Sequence, residues 1–201
     1  MKERPILFSA PMVRAILAGD KTQTRRVVKH QPEFDADQMR GAAGLHWSFP
    51  PSQFGGPGDE LWVRETWAAD DMFDNTKPSE IPRGAATVFY RASAPSDDPC
   101  DTKNLRGKWR PSIFMPRWAS RIQLEVNAVS VERLQDISID DIVAEGALPA
   151  DAKIGPNGMF AIDTWRDLWD SINGKRPGCA WVDNPWVWRV RFEMVNQDVQ
   201  R

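Results

Sequence analysis

At 201 residues and a formal net charge of −2, the chain is long enough to bury one sizeable core and is not coated in positive charge, so contact with nucleic acid has to come from a local patch. Ten tryptophans stand against a single tyrosine, a load that points to a ring-rich core or a binding cleft. Cys100 and Cys179 are far apart, MKERPILFSAP has no apolar run of signal-peptide length, and no segment approaches a membrane span. Together these features read as one soluble, cytoplasmic domain over residues 1–201.

In chain order, a short opening strand leads into ILFSAPMVRAILAGD. Ser9 and Pro11 stand where a helix would start, Met12 and Ile16 lie one turn apart, and Gly19 stands where the helix would stop. KTQTRRVV follows as a turn running into a strand rich in β-branched residues, which puts Lys21 and Thr24 at the junction with Arg25 and Arg26 directly behind. An amine, a hydroxyl and two fixed positive charges so close together are the parts of an activated nucleophile or an anion pocket. Residues 31–57 are rich in Pro and Gly and read as a long loop, DELWVRETW and ATVFYRA as strands, and residues 68–86 between them as an insertion.

Lys103 to Arg121 carries six basic residues and no acidic one, with Trp109, Phe114 and Trp118 interleaved. Guanidinium groups that grip phosphate beside rings on which bases stack are a common means of holding single-stranded nucleic acid or a nucleoside. Solvated arginines with rings filling core explain the same pattern equally well.

RIQLEVNAV alternates, with Ile122, Leu124, Val126 and Ala128 on one face, as a half-buried strand does. ISIDDIVAEGAL reads as a short helix, with Ser138 as N-cap, Asp141 as its box partner and Gly146 as terminator after Glu145. TWRDLWDSINGK is a second helix with Trp165, Leu168, Trp169 and Ile172 on one face, separated from the first by an insertion near 147–162. NPWVWRVRFEMV closes the chain as a strand with Trp186, Trp188, Val190, Phe192 and Met194 on one side. The pattern predicts an α+β domain, a small curved sheet or β-barrel with short helices at its ends.

The succession ILAGDKTQTRR, PGDELWVRETW, SRIQLEVNAVSVERLQDIS, AEG, LWDSINGK and NPWVWRVRF resembles the ASCH domain family, whose fold is the PUA-like β-barrel. It looks closest to the longer ASCH proteins of phages and prophages, which have a near-identical counterpart of WRPSIFMPRWASRI but more often histidine where this chain has Phe114. A smaller enzyme of that family, N(4)-acetylcytidine amidohydrolase, is similar around ILAGDKTQT and in the helix after the central strand. The resemblance implies Lys21 as proton acceptor, Thr24 as nucleophile and Glu145 as proton donor.

That chemistry has physical requirements. A free lysine has a pKa of ~10.4, so it is a poor base at neutral pH unless burial or neighbouring cations, here Arg25 and Arg26, favour its neutral form. Glu145 needs the opposite shift, which a wall of tryptophans would supply. Each residue also has a plain structural use: lysine at a helix end, threonine in a strand, glutamate in solvent. Candidate contacts for a nucleoside or RNA are Arg25, Arg26 and Arg64 together with Trp109, Arg110, Arg117 and Trp118. His30, His46, Cys100 and Cys179 lack metal-ligand spacing, and neither a phosphate loop nor a dinucleotide fingerprint is present, so no metal or cofactor is expected. The alternatives are an amidohydrolase acting on an acylated nucleoside and a non-catalytic reader of RNA or modified nucleotides using the same cleft.

Overall fold

In the computed structural model, residues 1–29, 31, 52–94, 106–148 and 158–195 are described. His30, His46, Cys100 and Lys103, most of the 31–57 loop and the middle of the 147–162 insertion lie outside them.

After strand β1 (Glu3–Leu7), Ser9 is extended and Pro11 falls in the first turn of helix α1 (Ala10–Ala18), where its missing N–H costs nothing. Val13 and Ile16 are the fully buried positions of this helix. Gly19, at φ +84°, turns the chain out of it, and the amides of Asp20 and Lys21 fold back onto the Ala15 carbonyl. Strand β2 (Gln23–Val27) then begins.

The main sheet adds β3 (Glu60–Arg64), β6 (Gln123–Arg133) and β7 (Trp186–Met194), giving five strands in the order β1-β3-β6-β7-β2. The β1–β3 pair is parallel and the other three pairs are antiparallel. β1 and β2 are the two edges. Among the described residues no ladder joins them, although Arg26 Nη2 donates to the Leu7 carbonyl across the gap at 2.6 Å. The fold is therefore mixed α/β, built on a five-stranded sheet with a seam between its edges.

One face of the sheet packs against α1 through Ile6, Phe8, Leu61, Leu124, Trp188, Val190 and Phe192. Val187, next to Trp188 in β7, faces the opposite way and meets helices α2 (Ile139–Ala144) and α3 (Met159–Asn173) through Ile142, Trp165 and Trp169. The predicted capping box is present, with Ser138 Oγ accepting from the Asp141 amide and Asp141 Oδ2 from the Ser138 amide.

Three details of the predicted faces are corrected. The β6–β7 register skips between Val126 and Ala128, and this bulge removes Ala128 from the core row and brings Val129 and Val131 against it instead. Ile172 in the last turn of α3 and Met194 at the end of β7 are exposed rather than part of the core face. The expected strand ATVFYRA is reduced to β5 (Phe89–Tyr90), paired with β4 (Trp67–Ala68); Arg91–Ser93 is a turn of 3₁₀ helix. With Ile81, Met115 and Ala119, Trp67 forms a satellite core beneath residues 68–86.

Candidate functional site

Two helix ends meet at Lys21. The Thr22 amide bonds to the Ala144 carbonyl at 2.9 Å, and Lys21 and Glu145 form an isolated β-bridge, so the end of α2 is stitched to the turn that follows α1. Gly146 allows the approach. Its φ is +67°, and a Cβ there would stand 2.9 Å from Ala15 Cβ and 3.1 Å from Lys21 Cβ. With the backbones this close, Lys21 Nζ donates to Glu145 Oε2 at 2.9 Å and to the Glu145 carbonyl at 2.7 Å. Both residues are almost wholly buried, at 2 % and 4 % exposure.

Glu145 is shared. Its Oε1 accepts from Arg25 Nη1 at 3.1 Å, and Arg25 also engages Asp141 Oδ2 at 3.0 Å and Glu132 Oε1 at 2.7 Å. Arg189 Nη2 reaches Asp141 Oδ1 at 2.6 Å, and Gln23 Nε2 completes the shell by donating to Asp141 Oδ1 and to the Asp141 carbonyl. The carboxyl group of Glu145 is thus held by Lys21 and Arg25 rather than by the expected wall of tryptophans. Trp165 and Trp169 belong to the apolar layer between α3, α2 and Val187.

Burial pushes the Lys21 amine below its ordinary 10.5, prevailing over the attraction of Glu145, and Arg26 and Arg25 act in the same direction as burial. Burial also pushes the Asp141 carboxyl up, but the Gln23 hydrogen bond and the charges of Arg25 and Arg189 outweigh it and hold the group below the usual carboxylate value.

Strand alternation sorts the β2 side chains. Gln23 and Arg25 point to α2, whereas Thr24, opposite Val190, and Arg26, which stacks on Phe8 at 5.2 Å, point to the α1 side. Lys21 Nζ lies 5.6 Å from the centroid of the same Phe8 ring, so its amine borders the face that carries Thr24. Thr24 is buried, and among the described residues its hydroxyl is hydrogen-bonded neither to Lys21 nor to Glu145. A cavity of about 340 Å³ lined by Arg25, Arg26, Lys29, Gln53 and Arg176 opens beside this cluster.

No family model matches the chain, and no curated protein matches it. Two solved structures share a distant likeness. An ASCH domain from Lactobacillus crispatus JV V101 is 10 % identical over 96 % of this chain and 79 % of its own, with a TM-score of 0.43. A protein from Enterococcus faecalis V583 is 8 % identical over 100 % of this chain and 85 % of its own, with a TM-score of 0.44. At such distances the site has to be read from its own residues.

The remaining candidates are engaged elsewhere. Arg64 donates to the Ile113 carbonyl and stacks on Trp62 at 4.5 Å, and Arg117 pairs with Glu3 at 2.8 Å. Arg110 is committed to the carbonyls of Thr76 and Phe73, and Trp118 packs edge-on against the buried Trp67 at 6.0 Å. Trp109, between Arg106 and Arg91, lines a cavity of about 370 Å³ with Lys108, Arg110 and the exposed Phe114. Sequence reasoning passed over Gln23, Glu132 and Arg189 and gave Asp141 only a capping role. The one available signal was the period-2 spacing of Lys21, Gln23 and Arg25, which places all three on one side of an extended chain.

Proposed function

We propose that the protein is an ASCH-type, PUA-like amidohydrolase that removes the acyl group from N(4)-acetylcytidine or a related modified nucleoside. Thr24 serves as nucleophile, Lys21 as base and Glu145 as acid. The observation that carries this proposal is the direct, buried contact of 2.9 Å between Lys21 and Glu145, residues 124 positions apart in the chain.

Amide hydrolysis needs a base that takes the nucleophile's proton and an acid that returns one to the leaving nitrogen. In the proposed sequence neutral Lys21 accepts the Thr24 hydroxyl proton as Oγ1 attacks the acyl carbon. The tetrahedral intermediate then collapses, the C–N bond breaks, and a proton held on Glu145 passes to the amino nitrogen of cytidine. Water hydrolyses the threonine ester to release the acid and regenerate Thr24. A hydrogen bond joining base and acid lets the proton gained by Lys21 pass to Glu145, so one proton serves both steps. Burial favours the neutral amine of Lys21, the form that accepts the proton. Arg25 holds the second carboxylate oxygen and sets the acid's position.

The alternative, a non-catalytic reader of RNA or modified nucleotides, is favoured by the arginine-rich lining of the cavity beside the cluster. Incubation with N(4)-acetylcytidine, following cytidine release by the parent and by Thr24→Ala, separates the two. Release by the parent that is lost in the variant is the expected result. Binding of the nucleoside without any release would establish the reader.

A further inference from the structure

The seam between strands β1 and β2 is flanked by cations that no carboxylate reaches at ion-pair distance, although Arg26 feels the charge of Glu145 from further off. Arg25, Arg117, Arg121, Arg166 and Arg189 each pair with a carboxylate. Among the described residues, Arg4, Arg26, Lys29 and Arg176 have no carboxylate within ion-pair distance, and these line two adjoining cavities. One, of about 340 Å³, is bounded by Arg26, Lys29, Gln53 and Arg176. The other, of about 400 Å³, is bounded by Arg4, Leu7, Arg26, Gln53 and Phe54. Arg26 and Gln53 form the shared wall, and neither lining includes an acidic side chain.

Two further facts indicate an anion. Arg4 Nε is buried without a hydrogen-bond partner, and the carboxylate that feels Arg4, Asp59, is already held by the amides of Lys2 and Gly56. Arg26 uses one nitrogen on the Leu7 carbonyl, and Phe8 lies under its guanidinium, so the group is fixed in place with donors to spare. Guanidinium groups without carboxylate partners lining two adjoining cavities, in a chain whose net charge is −2, match the chemistry of phosphate oxygens.

The geometry points to this seam as a phosphate-binding subsite, with Arg26, Lys29 and Arg176 as its principal donors and Arg4 as a second contact across Gln53. Lys21 and Arg26 both lie against the Phe8 ring, at 5.6 and 5.2 Å from its centroid, so a phosphate held by Arg26 brings the attached nucleoside near the Lys21–Thr24 centre. The preferred substrate is therefore a nucleotide or a strand rather than a free nucleoside. That last step rests on the amidohydrolase proposal, whereas the subsite stands without it.

Calorimetric binding of cytidine 5′-monophosphate, cytidine and a short oligocytidylate to the parent and to Lys29→Glu/Arg176→Glu tests the subsite. Both altered residues are exposed, so the variant keeps its core. The monophosphate should bind roughly tenfold or more tightly than cytidine, and the advantage should vanish in the variant. If the oligomer binds more tightly still, with affinity falling steeply in salt, the natural source of the phosphate is a strand; equal affinity marks a mononucleotide. Equal binding of cytidine and its monophosphate, or a phosphate preference that survives both charge reversals, overturns the subsite. Turnover of acetylcytidine without a phosphate preference removes the subsite alone. A phosphate preference without turnover removes the amidohydrolase alone.

Discussion

Lys21 to Arg26 and Arg106 to Arg121 look alike in sequence, each a run of basic residues close to large apolar side chains, and the fold uses them in opposite ways. In the first, Lys21 and Arg25 are buried and reach carboxylates more than a hundred residues away, at Glu132, Asp141 and Glu145. In the second, Arg110 caps carbonyls of the 68–86 segment, Arg121 pairs with the buried Glu65, and Arg117 pairs with Glu3 at the surface. The second run ties the satellite core to the sheet, while the first concentrates opposed charges where water is excluded. Density of charge along the chain therefore says little about function; what a charge faces, and how dry that place is, says much more.

The comparison can be broken at several points. Arg25→Ala strips a guanidinium from three carboxylates and should cost about 3–5 kcal/mol of stability, as removal of one partner from a buried ion pair does, measured by denaturant unfolding. Gly146→Ala forces a left-handed backbone on a residue with a Cβ and drives that carbon against Ala15 and Lys21. It should cost about 1–3 kcal/mol and should lower turnover further than stability alone explains, because it pries Glu145 from Lys21. Arg117→Ala removes an ion pair whose side chains are 38 % and 46 % exposed, and a change below about 1 kcal/mol is expected. An equal loss for Arg25→Ala and Arg117→Ala would erase the distinction between the two regions.

Much of the element order was legible because it depends on local rules. The Gly19 stop, the Ser138–Asp141 box, and the alternation in the two long strands all act within a few residues. The bulge at Asn127 was not legible, since an extra residue shows only against a partner strand. In the site, Lys21, Thr24, Arg25 and Glu145 stood out from their motifs, but the groups gathered around Arg25 did not. Asp141 looked complete as a cap, and Arg189 looked like the outward member of an alternating strand. Their convergence on Arg25 and Gln23 is a property of sheet order, which brings β2, β7 and α2 together. Gly146 was legible as a terminator, but its approach to Lys21 was not.

The central claim is that the buried contact of Lys21 with Glu145 is a working base and acid rather than a structural ion pair. The most direct measurement is the pH dependence of acetylcytidine hydrolysis by the parent beside Lys21→Arg, with folding confirmed for both. Lys21 acts through its neutral form and burial lowers its pKa, so the parent's rate should climb with pH through that lowered value and then level off. Arginine keeps the charge but accepts no proton at these pH values, so turnover should fall by ~10²–10⁴ at every pH. An arginine variant that hydrolyses acetylcytidine as fast as the parent would contradict the account and leave the pair a purely structural one.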